Sequence, residues 1–392
     1  MALPSYTISS SIVNVDCSGS GKIIFLPPAN TIQGVPIWIR DSAGTCSQAN
    51  SIFISTQGTD RMDRFASTLR LSTAYQSVRC VAWQPTHYAI LQNYTYGLQP
   101  FLAQFTQGIS WTLYESVRTW SAVCSSTSGS VMAAVVGGGG GQIYVTTTSG
   151  TTWTAYGPTL IWTGIACSSD GTKMVAVSNG DRIYTSTNTG ISWTPRDSPK
   201  SWSCVCSSSD GSILLAGTSS DFLYLSTNSG LSWTAVNIST TYTFVACSSN
   251  GVIQYAVTSG GQIYVSTDTG STWTARDSAR SWTGVACSSD GSIAFATEGT
   301  YIYKTTDTGV TWTPNLSYPG AWRCITCSSS AQYVLAVDST TGFINLSGTT
   351  GLDFILSGDP ASYQAIAINQ LGVQAIAAAS PGRLYVGALQ LL

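Results

Sequence analysis

The stretch Ser281–Trp312 decides the fold, and it reads SWTGVACSSDGSIAFATEGTYIYKTTDTGVTW. SWTGVACSS alternates polar and apolar residues, which is typical of a strand, and an Asp-Gly pair at 290–291 then favours a tight hairpin turn. SIAFATE and YIYKTT follow as a second and a third strand. The segment DTG at 307–309 turns the chain into a fourth strand, which carries Trp312. The sequence therefore predicts an antiparallel unit of four short strands.

This unit recurs along the chain. A Trp followed by Thr, with Phe in the last copy, returns every 39 to 42 residues at Trp111, Trp153, Trp193, Trp233, Trp273, Trp312 and Phe354. A second aromatic series follows nine or ten residues after each of these, at Trp120, Trp162, Trp202, Tyr242, Trp282, Trp322 and Tyr363. A third series places Tyr after an aliphatic residue, at Tyr144, Tyr184, Tyr224, Tyr264, Tyr303 and Tyr385. A period of about 40 residues with four strands per unit is typical of β-propeller blades.

The two ends of the repeat region decide the number of blades. From Tyr363 onward the sequence offers only three strands, whereas QGISWTLYE around Trp111 is a fourth strand without the preceding three. Joined together, these segments complete one blade and remove exposed sheet edges. We therefore predict an all-β protein in which residues 107–392 form a seven-bladed β-propeller, closed by pairing of its N- and C-terminal strands.

The turn between the third and fourth strands closely resembles the Asp-box, S-x-D-x-G-x-T-W. STNTGISW, STNSGLSW, STDTGSTW and TTDTGVTW show it, whereas TTTSGTTW and SGTTGLDF lack the acid. In such a turn Asp or Asn accepts backbone N–H bonds, and Gly adopts positive φ. The resemblance implies a structural role, not a catalytic one, for Asn188, Gly190, Trp193, Asn228, Gly230, Trp233, Asp268, Gly270, Trp273, Asp307, Gly309 and Trp312.

Residues 1–95 lack the repeat and are predicted to form a small β-sandwich-like domain, joined to the propeller by a linker at 96–106. Residues 21–94 resemble a β-domain of bacteriophage tail fibres and of surface proteins of large DNA viruses. The matching positions are Leu26-Pro27, Ile37–Asp41 with Gly44, Ile52–Ile54, Gly58, Asp60, Met62, Asp63 and His87–Ile90. Arg64 and Tyr88 stand where that family has Gly and Trp. The resemblance implies a virion context, in which this domain docks onto other virion proteins or onto itself.

Composition narrows the classes of partner. Charged residues make up 9% of the chain and the net charge is −2, far from the basic clusters that nucleic acid requires. No apolar run approaches the ~18–20 residues of a membrane span, and the N-terminus lacks signal-peptide features. We therefore expect no nucleic-acid binding and no membrane insertion, and we expect localisation to a virion assembled in the host cytoplasm.

The cysteine count is eleven, which is odd and rules out complete internal pairing. Six cysteines recur at one position of the repeat and are interpreted as small buried hydrophobes in a reducing compartment, with cross-linking left open: Cys124, Cys167, Cys206, Cys247, Cys287 and Cys327. Cys324 and Cys327 have two-residue spacing, but no second pair accompanies them. We expect no metal site and no cofactor.

Catalysis must be weighed because sialidases and other glycoside hydrolases carry Asp-boxes. The predicted propeller has seven arginines but only two glutamates, and turns use most of its aspartates. Glu298 with Tyr301, near Arg276 and Arg280, is the best remaining constellation. His87 is the sole histidine and lies outside the propeller, which excludes a Ser-His-Asp triad there. We therefore expect a protein that is not an enzyme.

Binding is predicted on the face that carries the loops between second and third strands and the crossovers between blades, because these vary in sequence on a rigid frame. The second aromatic series opens each blade. We therefore expect its rings to lie toward this face, where indoles could stack on sugar rings. The alternative is that they pack between blades. The predicted site is Trp120, Trp162, Asp181, Arg182, Arg196, Asp197, Trp202, Arg276, Asp277, Arg280, Trp282, Glu298 and Trp322.

These observations favour a non-enzymatic virion structural or surface protein, either capsid-associated or part of a fibre or spike. Its propeller would bind a host glycan or a neighbouring virion protein. One alternative is a glycoside hydrolase related to the sialidases. A second alternative is a cellular assembly factor built on a propeller.

Overall fold

The structure is a computed structural model that describes residues 109–389 apart from 316–318, 352–353 and 358–359, and, before residue 109, the backbone of the strands alone. The chain divides into two compact units, Met1–Ala103 and Gln104–Leu392. The boundary between them lies within the segment 96–106. All regular elements of the described residues are strands.

The first unit contains two sheets. A four-stranded sheet has the order β1-β3-β5-β7, and a five-stranded sheet has the order β2-β4-β8-β9-β6. The predicted sandwich packing lies outside the described residues, as do Leu26-Pro27, Gly44, Gly58, Asp60 and Asp63 of the fibre-like motif. The strands are β1 Ser5–Thr7, β2 Ile12–Val15, β3 Lys22–Phe25, β4 Pro36–Asp41, β5 Ile52–Ser55, β6 Arg61–Met62, β7 Thr68–Leu71, β8 Ser77–Gln84 and β9 His87–Tyr94.

The second unit contains the repeats. Its strands are β10 Ile109–Arg118, β11 Trp120–Ser125, β12 Met132–Val136, β13 Gly141–Thr146, β14 Thr154–Leu160, β15 Trp162–Cys167, β16 Met174–Ser186, β17 Thr194–Ser207, β18 Leu214–Thr218, β19 Asp221–Ser226, β20 Thr234–Thr240, β21 Tyr242–Cys247, β22 Gln254–Ser266, β23 Thr274–Cys287, β24 Ala294–Glu298, β25 Ile302–Thr305, β26 Thr313–Asn315, β27 Trp322–Cys327, β28 Val334–Asp338, β29 Phe343–Ser347, β30 Ile355–Ser357, β31 Tyr363–Ile368, β32 Gln374–Ala379 and β33 Gly382–Leu389.

These strands form antiparallel sheets in which neighbours follow one another along the chain, except that β10 lies beside β33. Three sheets have four strands. Two have six, because β16 and β22 each contain the second and third strands of one repeat, and β17 and β23 each run on from the last strand of one repeat into the first strand of the next. The first strands of successive repeats contact one another, and the last of them, β31, contacts β11. The first strands therefore surround a common axis, which is the arrangement of a β-propeller.

The ring is closed by strands from both ends of this unit. β10 pairs antiparallel with β33, with Trp111 opposite Gly387 and Leu113 opposite Tyr385. The indole N–H of Trp111 also donates to Ser357 Oγ at 2.9 Å. The predicted pairing of these two segments is therefore present.

The core lies between successive sheets. Second strands such as β12 (MAAVV) are buried at every position, because both of their faces pack against neighbouring sheets. A register shift after the first aromatic residue recurs in each repeat, as between Trp120 and Ala122. This bulge lets the first aromatic ring turn into the space between two sheets.

The turns between third and fourth strands are held by side chains. Asp268 Oδ1 accepts the backbone N–H of Thr272 at 2.8 Å, Gly270 adopts φ +77°, and the Trp273 indole donates to the Gly270 carbonyl at 3.0 Å. In TTTSGTTW, one of the two copies that lack the acid, Thr148 Oγ1 accepts the N–H of Thr152 at 3.0 Å. A hydroxyl thus replaces the carboxylate, and the turn is kept.

Candidate binding face and axial channel

The loops joining second to third strands and the crossovers between successive sheets lie at one end of the propeller, and we call this end the crossover face. The predicted tryptophans lie beneath it, and the exposed fraction of each is at most 4%. Four of them pack edge-to-face against a Tyr of the third series, with ring centroids 5.0–5.2 Å apart. This corrects the placement of the indoles on the face. The alternative, packing inside the ring, is the arrangement observed for Trp120, Trp162, Trp202, Trp282 and Trp322.

Three cations cover the aromatic pairs of alternate repeats, those of Trp120, Trp202 and Trp282. The Arg118 guanidinium lies 4.5 Å from the Tyr144 ring centroid, the Lys200 ammonium 4.9 Å from that of Tyr224, and the Arg280 guanidinium 4.8 Å from that of Tyr303. Such contacts are attractive because the ring face carries the negative part of the quadrupole. Arg280 was among the residues predicted from sequence, whereas Arg118 and Lys200 were not. Their signal was a basic residue two positions before the aromatic residue of the second series.

An acid three residues before each cation adopts an unusual backbone conformation. Glu115, Asp197 and Asp277 have φ of 61°, 50° and 55°, at the bulge of the fourth strand. Glu115 pairs with Arg118 at 3.8 Å and Asp277 with Arg280 at 3.6 Å. Glu115 and Asp277 therefore anchor the cations of their own crossovers, whereas Lys200 donates to Ser198 Oγ at 2.7 Å.

The Asp181–Asp197 region is held largely by hydrogen bonds to backbone and hydroxyl groups. Arg182 Nη1 donates to the Asp197 carbonyl at 2.7 Å, and Arg196 Nε donates to Thr185 Oγ1 at 3.0 Å. Asp181 lies opposite Lys200 in the strand register. Burial, with the Asp181 charge next in importance, raises the pKa of the neighbouring Tyr184.

The residues around Glu298 partly converge. Burial raises the pKa of Tyr303, the Arg280 charge opposes that shift, and the charges of Glu298 and Asp277 add to it. Glu298, Asp277 and Arg280 therefore share the surroundings of one tyrosine. Arg276 is opposite Ile263 on the fourth strand, and its Nε is buried without a hydrogen-bond partner.

Most aspartates at the opposite end of the propeller are committed to turns. In the turns between first and second strands, a hydroxyl donates to each carboxylate, as Ser208 does to Asp210 at 2.7 Å. That bond and the Ser212 N–H lower the pKa of Asp210 to about 2. Bonds from Thr311 and Thr305 likewise lower the pKa of Asp307 to about 2. Such ionised acceptors lack the raised pKa of a general acid.

The first strands surround the axis of the propeller, and we call the space along this axis the axial channel. Hydroxyls line it near the crossover face. In five repeats the residue after the first aromatic is Ser or Thr, and its hydroxyl donates to the carbonyl of the corresponding aromatic in the next repeat at 2.7–2.9 Å. We call this ring the hydroxyl belt, and it consists of Ser121, Thr163, Ser203, Thr243 and Thr283. The hydroxyl belt was not predicted from sequence, although a Ser or Thr recurs directly after the first aromatic residue of five repeats.

The other end of the channel carries a backbone ring. Successive repeats are joined by N–H···O bonds of 2.7–2.9 Å, running from Thr127 through Ser169, Ser209, Ser249, Ser289 and Ser329 to Gln370. The Gln370 amide reaches across to Ser209 Oγ at 3.5 Å. A cavity of about 90 Å³ adjoins this ring and is lined by its serines and by Cys247, Cys287 and Cys327.

The cysteines of the repeat are free thiols near the axis. A hydrogen bond to Cys247, together with burial, raises the pKa of Cys206 well above its ordinary value. Burial alone raises the pKa of Cys327 to about 12. Thiols held protonated in this way are poor nucleophiles and poor metal ligands.

The described residues also bear on two further features, a metal site and a membrane-spanning helix. Within them, no three His, Cys, Asp or Glu side chains converge to hold a metal ion. None of their elements is a helix of the length and apolar character that crossing a bilayer requires.

No family model and no curated protein matches the sequence. Solved structures resemble the fold. YCF48 from Cyanidioschyzon merolae matches with a TM-score of 0.57 and 15% identity, over 72% of this chain and 98% of that chain. A structure titled YCF48 bound to D1 peptide matches with a TM-score of 0.58 and 15% identity, over 72% and 97%.

An enzyme and another propeller resemble it equally well. The GH74 xyloglucanase from Xanthomonas campestris matches with a TM-score of 0.59 and 16% identity, over 72% of this chain and 54% of that chain. The Cps50 (Swd1) β-propeller domain of Myceliophteria thermophila matches with a TM-score of 0.58 and 11% identity, over 72% and 100%. Identities of 11–16% show a likeness of fold alone. The second unit of this chain is, by that likeness, a β-propeller.

Proposed function

We propose that this chain is a non-enzymatic binding protein of a virus particle, whose propeller presents its crossover face to a host glycan or a neighbouring virion protein. The observation that carries the non-enzymatic part is the use of the carboxylates. Asp170, Asp210, Asp268, Asp290 and Asp307 accept hydrogen bonds within their own turns, and their pKa values are lowered. None of these five suits the role of a proton donor at neutral pH.

We infer that the propeller has seven blades and that its third-to-fourth-strand turns are Asp-boxes. Seven ladders of four strands result when β16 and β22 are each counted as two strands, β17 and β23 are each divided between two ladders, and β10 is counted with β31–β33, and this supports the number. The side-chain bonds of Asp268 and Asp307 across their turns support the second inference. Both inferences make the turns structural and leave binding to the opposite face.

The virion context rests on the resemblance of residues 21–94 to tail-fibre and large-virus surface domains. In this proposal the first unit attaches the protein to the particle or to other copies, and the propeller binds the ligand. Mass spectrometry of purified particles from infected cells tests the proposal directly. We expect the chain in the particle fraction, and its absence there would remove the virion part.

The glycan part has its own test, a glycan array with the full chain. Reproducible binding to one glycan class would support a host-glycan ligand. A blank array together with capture of a particle protein by the full chain would favour the neighbouring-protein ligand. Failure of both would contradict a binding role for the propeller.

A glycoside hydrolase is the second candidate because Glu298, Asp277 and Arg280 share the surroundings of Tyr303. A GH74 xyloglucanase also has a similar fold. Turnover of xyloglucan or of fluorogenic sialosides, lost in Glu298→Gln, would establish this alternative. We expect no turnover by either protein.

A cellular assembly factor is the third candidate, and a solved propeller of similar fold is titled as bound to a peptide. Co-purification of the chain with one cellular protein complex, in the absence of virus particles, would favour it over the virion proposal.

A further inference from the structure

The hydroxyl belt is interrupted at two neighbouring repeats. Where five repeats carry Ser or Thr after the first aromatic residue, the next two carry Arg323 and Gln364. Thr283 still donates to the Trp322 carbonyl at 2.9 Å, so the belt runs up to the residue before Arg323 and then stops. The mouth of the channel therefore has two long, donor-bearing side chains on one side.

Arg323 is the cation at this mouth that the protein leaves unneutralised. It is exposed, and the ion pairs among the described residues are those of Glu115–Arg118 and Asp277–Arg280 only. The nearby acid Asp338, which is opposite Trp322 in the strand register, is already used. Its carboxylate accepts the N–H groups of Ala321 and Thr340 and the Thr341 hydroxyl.

Two other cations of the crossover face, Arg182 and Lys200, are occupied. Arg182 donates to the Asp197 carbonyl, and Lys200 donates to Ser198 Oγ at 2.7 Å while covering the Tyr224 ring. A guanidinium presents a planar fork of donors that matches a carboxylate. Arg323 thus provides donors for an acidic group that enters the mouth from solvent. Gln364 lies one repeat away, and its Nε2 donates to the Ser362 carbonyl at 3.3 Å.

We propose that the channel mouth around Arg323 and Gln364 binds a carboxylate of an acidic peptide segment from a partner protein. This inference rests on the proposed binding function and gives it a site and a ligand class. A peptide fits better than an acidic sugar, because the indoles that would stack on a sugar ring are buried. The carboxylate approaches along the axis, and the partner's chain lies across the crossover face.

The test is fluorescence anisotropy of the full chain with a labelled hexaglutamate peptide at low salt, with hexaglutamine as the uncharged probe. Arg323→Thr copies the Thr283 arrangement of the belt and should keep the fold, which thermal unfolding checks. We expect hexaglutamate to bind and its Kd to rise at least about tenfold in Arg323→Thr and in Arg323→Gln, because a charged hydrogen bond is lost. The matched control is Arg383→Thr, which removes an exposed cation of the same face from β33 and should change the Kd less than about twofold.

Three results would overturn the inference. The first is unchanged binding in both Arg323 variants, and the second is an equal loss in Arg383→Thr, which would indicate a general charge effect. The third is Arg323-dependent binding of sialyllactose without binding of hexaglutamate, which would assign the mouth to an acidic sugar. Failure of the proposed function looks different, because absence from virus particles would leave Arg323-dependent peptide binding intact.

Discussion

At the scale of single residues, a recurring Trp–Tyr pair stabilises four of the sheet junctions. Trp282 is 1% exposed, and its ring packs edge-to-face on Tyr303 with centroids 5.0 Å apart. Its indole N–H has no hydrogen-bond partner, so the ring contributes through area and shape. Tyr242 takes the same position in another repeat, which shows that a smaller ring can fill the place.

We predict that Trp282→Ala lowers the free energy of unfolding by about 3–5 kcal/mol, because it leaves a cavity between two sheets. Trp282→Tyr should cost clearly less, since the chain itself uses Tyr at this position. Chemical denaturation followed by circular dichroism measures both. A loss under about 1 kcal/mol for the alanine variant would contradict the packing role.

Turn acids act at the same scale through their ionised form. The Thr311 hydroxyl and N–H, with the Thr305 hydroxyl, lower the pKa of Asp307 to about 2. The folded-state pKa thus lies below the unfolded value of about 3.9. The stabilisation from ionised Asp307 is therefore present above about pH 4 and is lost as the pH falls toward 2.

We predict that Asp307→Asn melts close to the wild-type temperature at pH 7, because Asn188 makes the same bond in another turn, accepting the Ser192 N–H at 3.0 Å. Between pH 7 and pH 3 the variant should lose less of its melting temperature than the wild type does. Asp307→Ala should melt lower than both at pH 7. Parallel acid sensitivity of wild type and Asp307→Asn would show that this carboxylate has no part in the response.

At the scale of elements, the closing strand depends on a residue without a side chain. A Cβ added to Gly387 in β33 would collide with the Ile109 side chain and lie 2.9 Å from the Trp111 ring, both on β10. β10 also covers what would otherwise be the open edge of β33. Open edges of this kind promote aggregation.

We predict that Gly387→Ala destabilises the propeller by about 1–3 kcal/mol through overpacking at the closure. Gly299→Ala is the matched control, because no heavy atom lies within 4 Å of its added Cβ. Thermal unfolding with light scattering compares the two, and we expect earlier aggregation of Gly387→Ala alone. Equal behaviour of the two variants would mean that β10 is not held tightly against β33.

At the scale of the whole molecule, the repeat brings free thiols from separate sheets together around one axis. The charges of Cys327 and Cys247 are among the causes that raise the pKa of Cys287, after burial. A free thiol buried in this way behaves as a small apolar side chain. The raised pKa values of Cys124, Cys206, Cys287 and Cys327 agree with the sequence-based interpretation of these four as packing residues.

We predict that Cys327 in the native protein alkylates far more slowly than in the denatured protein. A rise of its pKa from 9.0 to about 12 reduces the reactive thiolate about 1,000-fold at a fixed pH below both values. Peptide mass spectrometry after timed iodoacetamide labelling, with and without guanidinium, measures the ratio for each cysteine. Rapid native labelling of Cys327 would show that the channel opens.

Whether a feature could be predicted from the sequence depends on the range of the interactions that form it. The repeat, the four-strand unit and the turn chemistry of Asp268 and Asp307 are short-range features, so periodicity and local residue type predict them. The pairing of Trp111 with the segment at Tyr385 was also predictable, because an incomplete unit at each end has one economical solution.

What only the tertiary structure decided is the direction of side chains at the junctions. Sequence placed the Trp282 series on the loop face, but a bulge after each aromatic residue turns the ring inward between sheets. It also missed the hydroxyl belt and the exposed Arg323, since each depends on a neighbour about 40 residues away. Periodicity shows which residues are equivalent, but only packing around the axis shows which of them meet, and that is why the site needed the structure.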